Sequence, residues 1–161
     1  MTTTIRPAVP GDAQLIHRFI HELAAYEKLL DKVLITVDGV QTMLFAPQPR
    51  AFCEIAEVGG EPVGFALWFY SVSTFEGHHG IYLEDLYVRP EARGAGVGRA
   101  LLARLARRCV DENLKRMEWA VLDWNAPAIR FYDSLGASAK TEWITRQLRG
   151  EALQRLAASG T

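Results

Sequence analysis

Residues 82–99, YLEDLYVRPEARGAGVGR, constrain this chain more than any other stretch. An apolar strand with two adjacent carboxylates, Glu84 and Asp85, runs into a loop containing Arg93, Gly94, Gly96 and Gly98. An apolar and cationic helix over residues 100–110 follows at once. Strand, glycine loop and helix N-terminus together form an anion cradle. Backbone N–H groups without intrahelical partners point outward, the helix dipole favours negative charge, and the glycines allow close approach of a phosphate. The upstream carboxylates are the wrong groups for binding phosphate and the right ones for taking a proton from an amine. A pyrophosphate holder beside a base points to group transfer from a nucleotide-carried donor.

The rest of the chain predicts a layered α/β domain around this unit. Residues 3–6 form a short first strand ended by Pro7 and Pro10. Asp12 is placed to cap a helix running to about residue 30, because Leu15, Ile16, Phe19, Ile20 and Leu23 keep a helical period. A second helix fits residues 37–45, and Pro47 and Pro49 precede a strand over 51–58. Gly59-Gly60 signals a hairpin into a strand over 62–72. Residues 73–80, with His78 and His79, read as a solvated loop, since two neighbouring histidines without a spaced third ligand are poor grounds for a metal. A strand over 81–88, the glycine loop, a helix to about residue 113 and a strand over 117–122 follow. Asn125 caps a helix through residue 135, with Pro127 in its first turn and Gly136 at its end. A last strand over 141–148 and a small helix from Glu151 finish the chain. This order describes one mixed sheet with helices on both faces.

Length and charge narrow the class. At 161 residues the chain is long enough for one domain with a real core, and residues 1–161 read as a single domain. With 18 basic against 19 acidic residues there is no electrostatic reason to expect nucleic acid. No apolar run approaches the roughly 20 residues of a membrane span, and MTTTIRPAVP has no secretory pattern. Cys53 and Cys109 read as reduced core residues. A cytoplasmic location is expected. The arginines of the helix after the loop, Arg104, Arg107 and Arg108, read as a solvated face, with Arg99 opening the cradle.

The glycine loop has three possible owners. A Walker-type loop needs Gly-Lys followed by Ser or Thr, whereas Gly98 is followed by Arg99 and Ala100. A dinucleotide fingerprint begins at Gly94 and Gly96 but meets Arg99 where its third glycine belongs. The remaining pattern, Arg-x-x-Gly-x-Gly at Arg93, Gly96 and Gly98, resembles the pyrophosphate loop of the GCN5-related N-acetyltransferases. Tyr26-Glu27, YLED at 82–85, AVLDWN at 120–125, Phe131-Tyr132 and Leu135-Gly136-Ala137 are similar to the diamine acetyltransferase branch of that superfamily. AVLDWN and the tail around Trp143 are closer to its thialysine type than to its polyamine type.

The resemblance implies the GNAT fold and acetyl-CoA as co-substrate, with no metal. It implies that Leu86, Tyr87, Val88, Arg93, Gly94, Ala95, Gly96, Val97, Gly98, Arg99, Asn125, Pro127, Ala128 and Tyr132 hold the cofactor. Glu84 becomes the base and Tyr132 the acid; Tyr26, Glu27, Glu84, Asp85 and Glu142 serve the acceptor, Asp85 chiefly in support. A homodimer acting on a polyamine, thialysine or lysine-like amine is implied. Alternatives are a protein terminus or aminoglycoside as acceptor, or a non-catalytic acyl-CoA sensor. Because adjacent strand residues face opposite sides, only one of Glu84 and Asp85 is expected to point into a given cleft.

Overall fold

The computed structural model describes residues 2–160. Two compact units divide them, the first ending at Leu122 and the second beginning at Asp123. The first unit carries β1 (Thr3–Pro7), α1 (Ala13–Tyr26), α2 (Val37–Phe45), β2 (Phe52–Val58), β3 (Glu61–Ser73), β4 (His78–Val88), α3 (Val97–Asp111) and β5 (Met117–Trp119). The second carries α4 (Ala126–Asp133) and α5 (Gly150–Ala158). The strands form one sheet in the order β1-β2-β3-β4-β5, antiparallel throughout except for the parallel pair β4–β5. Among the described residues no helix is long and apolar enough to cross a membrane.

One face of the sheet is covered by α1 and α2. Ile16, Phe19 and Leu23 of α1 recur at helical spacing and pack with Val40 and Leu44 of α2 against Cys53, Ile55, Phe65, Leu67 and Tyr87. The other face meets α3, whose Val97, Leu101, Leu102, Leu105 and Cys109 are buried. Both cysteines are free and buried, as the sequence predicts.

Several boundaries differ from expectation. Asp12 precedes α1, but its carboxylate makes no side-chain cap; it accepts from the Val9 N–H at 2.8 Å and pairs with Arg6 at 2.7 Å. Helix α1 stops at Tyr26, four residues early. Lys28 takes φ 61° and the Leu29 N–H donates to the Ala24 carbonyl at 2.8 Å, a Schellman-type ending without the usual glycine. His78 and His79 belong to β4, opposite Ser73 and Val72, and not to a loop. The arginine face of α3 is only partly solvated. Arg104 and Arg108 lie 3.7 and 3.8 Å from the buried Glu54, and Arg108 stacks 5.0 Å over Trp68, while Arg107 remains outside with Asp111. β5 ends at Trp119, and residues 141–148 form no strand, since among the described residues they enter no ladder that would pair their backbone groups.

Candidate active site

The site starts where β4 runs out of neighbours. β5 accompanies it only through the pairs Ile81–Met117, Tyr82–Glu118 and Leu83–Trp119, whereas β4 continues to Val88 along β3. From Glu84 to Val88, therefore, one edge of β4 pairs with no strand among the described residues. Backbone N–H and C=O groups on such an edge take up partners readily, and an extended, amide-bearing ligand lying alongside provides them.

The opposite ladder has a bulge at the same place. Trp68 lies opposite Leu83 and Leu67 opposite Asp85, which leaves Glu84 as the extra residue. A bulge suspends strict alternation and re-aims side chains. Across this irregularity the Glu84 charge still acts on its neighbour Asp85. Asp85 is half-buried and in register with Leu67 and Cys53 on neighbouring strands. Burial foremost, then the charges of Glu84 and Glu27, push its carboxyl up to about 7. Glu27, the C-cap residue that follows α1, is itself raised by burial. Glu84 is exposed. The result is a cluster of three carboxylates, one of them poised near neutrality, where a proton acceptor is most effective.

Past Val88 the chain makes a short 3₁₀ turn, Pro90–Ala92, and then the glycine loop. Gly94 and Gly96 adopt φ 79° and 82°, a left-handed conformation that costs other residues about 1–2 kcal/mol. A Cβ on either would meet nothing within 4 Å, so backbone conformation requires these glycines and their outer face stays open. Gly96 is the N-cap of α3; no side chain caps the helix and no acid lies in its first turn. The first-turn N–H groups, including those of Val97, Gly98 and Arg99, thus remain available at the positive end of the dipole. Helix α3 begins three residues earlier than predicted, so Gly98 and Arg99 are helical residues within that turn. This donor set fits a diphosphate.

The Arg93 side chain does not extend over the loop. Its Nε donates to the Val88 carbonyl at 2.8 Å, and its guanidinium lies 4.6 Å from the Tyr26 ring centre and 5.7 Å from that of Tyr87. Beside it, Arg89 donates twice to Glu22, at 3.0 and 3.1 Å, and lies 5.0 Å over Phe19. Sequence reasoning missed Glu22 and Arg89. Phe19, Glu22 and Tyr26 share one face of α1, a helical spacing that could have revealed them.

In the second unit Asn125 is buried and caps α4, its side-chain oxygen accepting from the Ala128 N–H at 3.3 Å, with Pro127 in the first turn. Tyr132, two turns on, is half-buried with its ring 5.5 Å from Phe131. Glu142 is exposed in the irregular segment before α5. The predicted residues therefore form two groups. Tyr26, Glu27, Glu84, Asp85 and the stretch from Leu86 to Arg99 lie in the first unit; Asn125, Pro127, Ala128 and Tyr132 share one short helix in the second.

A mixed sheet whose open strand edge leads into an uncapped, glycine-turned helix N-terminus defines an α/β protein built to hold an extended, anionic ligand. The chain belongs to the acetyltransferase (GNAT) family, whose sequence model matches residues 17–137, and it is an N-acetyltransferase. It is similar to the Bos taurus thialysine N-epsilon-acetyltransferase, at 41% identity over 95% of this chain and 96% of the relative. An Arabidopsis thaliana L-ornithine N5-acetyltransferase is 28% identical over 97% of this chain and 88% of its own. Among solved structures, an integron cassette protein from the mobile metagenome of V. cholerae superposes with a TM-score of 0.81 at 26% identity, covering 99% of both chains.

Proposed function

We propose that this N-acetyltransferase carries an acetyl group from acetyl-CoA to the primary amine of a polyamine, thialysine or lysine-like small molecule, by direct transfer in a ternary complex. The observation that carries this reading is the open β4 edge running from Glu84 to Val88 straight into the glycine loop. Leu86, Tyr87 and Val88 offer backbone partners to the amide-rich pantetheine arm. N–H groups from Gly94, Ala95, Gly96, Val97, Gly98 and Arg99 receive the diphosphate, and Asn125, Pro127, Ala128 and Tyr132 complete donor binding. Acetyl-CoA, when bound, supplies an activated thioester.

An alkyl ammonium titrates near 10.4, so it arrives protonated and cannot attack. Glu84 takes that proton, directly or through water, with Asp85 behind it near neutrality. The freed nitrogen forms the new N–C bond while the C–S bond breaks. A backbone N–H on the open β4 edge donates to the oxyanion in between. The Tyr132 hydroxyl gives a proton to the departing sulfur. No step calls on a metal ion. Glu27 receives a distal ammonium of the acceptor beside Tyr26, and Glu142 contributes further acceptor contacts. Support for such an acceptor comes from the relatives, which are named for thialysine and L-ornithine, two amino acids with a side-chain amine.

We read residues 1–161 as one acetyltransferase domain, supported by a family match that crosses from the first unit into the second. A homodimer is supported by exposed Trp143, Ile144, Leu148, Leu153 and Leu156 in the second unit. Two free, buried cysteines support a reducing, cytoplasmic setting. The test is turnover with acetyl-CoA against polyamines, lysine analogues and aminoglycosides, detecting the released thiol. Turnover concentrated on diamines or lysine analogues is expected. Cofactor binding without turnover on any amine would point to a sensor, and preference for aminoglycosides would overturn the acceptor assignment.

A further inference from the structure

We infer that Tyr82 determines acceptor specificity: its ring, backed by Phe69, is the surface on which the ammonium of a slender, unbranched amine rests beside Glu84. This rests on the reading above that places amine acetylation at Glu84, and it assigns a residue which that reading leaves unused. Tyr82 lies where β4 still has a strand on each side, in register with Phe69 of β3 and Glu118 of β5. One pair further, at Leu83 and Trp119, β5 stops and the open edge begins. From the β3 side the Phe69 ring stacks on Tyr82, with centroids 5.2 Å apart and planes 30° from parallel. Phe69 in turn packs against the core beneath α1 and α2, which anchors the pair. Among the described residues no second ring and no cation stacks on Tyr82. With Phe69 on the β3 flank, the other face of this half-buried ring is turned to the β5 flank, where the pairing runs out.

The surroundings of that face are acidic. Burial foremost, then the charges of Glu84 and Glu118, hold the Tyr82 phenol above its ordinary value, so it stays neutral. Glu118 is engaged by Arg116 at 2.9 Å, whereas Glu84 is exposed. A neutral aromatic face beside an exposed carboxylate suits a compact cation on an apolar stem, because the ring quadrupole and the carboxylate both attract it. The end of a linear alkyl amine has this form. An amine set directly on a sugar ring brings hydroxyls and ring carbons in place of the stem, and fits poorly. The nitrogen is cationic on arrival and becomes cationic again as the N–C bond forms, so the ring favours both states. Loss of an interaction made equally in both states raises KM and leaves kcat almost unchanged.

The experiment compares the parent chain with Tyr82→Phe, Tyr82→Leu and Tyr82→Met. KM and kcat are measured at saturating acetyl-CoA with thialysine, a linear diamine and a monoamine of equal length; coenzyme A affinity is measured by titration calorimetry. The Leu and Met variants keep apolar volume and lose the aromatic face. Each is expected to raise KM about three- to tenfold for all three amines, with kcat within about twofold of the parent. Tyr82→Phe keeps the face and should match the parent within about twofold. An equal rise for monoamine and diamine separates Tyr82 from Glu27, whose charge acts on a second ammonium. KM unchanged in both aliphatic variants would overturn the inference, as would a Tyr82→Phe variant equally impaired. A matching loss of coenzyme A affinity would also overturn it, by making the ring a matter of packing alone. If the parent turns over none of these amines, or if Glu84→Gln leaves kcat untouched, the underlying reading fails, and both results are known before any Tyr82 variant is compared.

Discussion

Replacing Asp85 with Asn should make the protein more stable, and increasingly so as pH rises. An ordinary aspartate titrates near 4; in the folded chain, burial together with the Glu84 and Glu27 charges raises Asp85 to about 7. Because the folded value lies above the unfolded one, the native state favours the protonated acid. The cost of keeping Asp85 ionised is absent below about pH 4, grows between the two values and is complete above about pH 7. The gap corresponds to about 4 kcal/mol at most, and partial solvent contact reduces it to about 2–4 kcal/mol. Asn keeps the shape and cannot ionise. Urea unfolding of parent and Asp85→Asn at pH 4.5, 6 and 8 should show a gain of about 2–4 kcal/mol at pH 8 that shrinks to about 1 kcal/mol or less at pH 4.5. The same variant should turn over more slowly, since a site that holds charge at a cost to stability does so for chemistry. A gain independent of pH, or a loss of stability at pH 8, would refute the electrostatic account.

Three further outcomes are expected. Gly96→Val forces a branched side chain into a left-handed backbone at the mouth of the cradle, and coenzyme A affinity measured by calorimetry should fall by well over about tenfold. Tyr132→Phe removes one hydroxyl and keeps the ring beside Phe131, so kcat should fall by about a hundred- to ten-thousand-fold while coenzyme A still binds; a rate within a factor of two of the parent at every pH would return Tyr132 to packing. Glu27→Gln should raise KM for a diamine more than it lowers kcat and leave a monoamine of equal length little affected; equal harm to both would exclude recognition of a distal ammonium.

What the sequence determined by itself is local. The strand–glycine–helix unit, the Asn125 cap on Ala128 and the helical stripe of α1 follow from spacing and residue type within a few turns, where a backbone conformation or an unpaired N–H has only a few chemical solutions. The resemblance to acetyltransferases was legible for the same reason. Distant partners were not. That β5 stops at Trp119, that Glu84 falls in a bulge between Leu67 and Trp68, and that Arg104 and Arg108 find Glu54 are facts of register between strands and helices far apart in the chain. Tertiary structure alone decided the state of Asp85, because its carboxyl answers to the solvent removed and the charges gathered by α1 and the bulge. It also decided the direction of Arg93, because a guanidinium arm stacks on whichever aromatic faces the fold brings within reach, and here the fold brings Tyr26 and Tyr87.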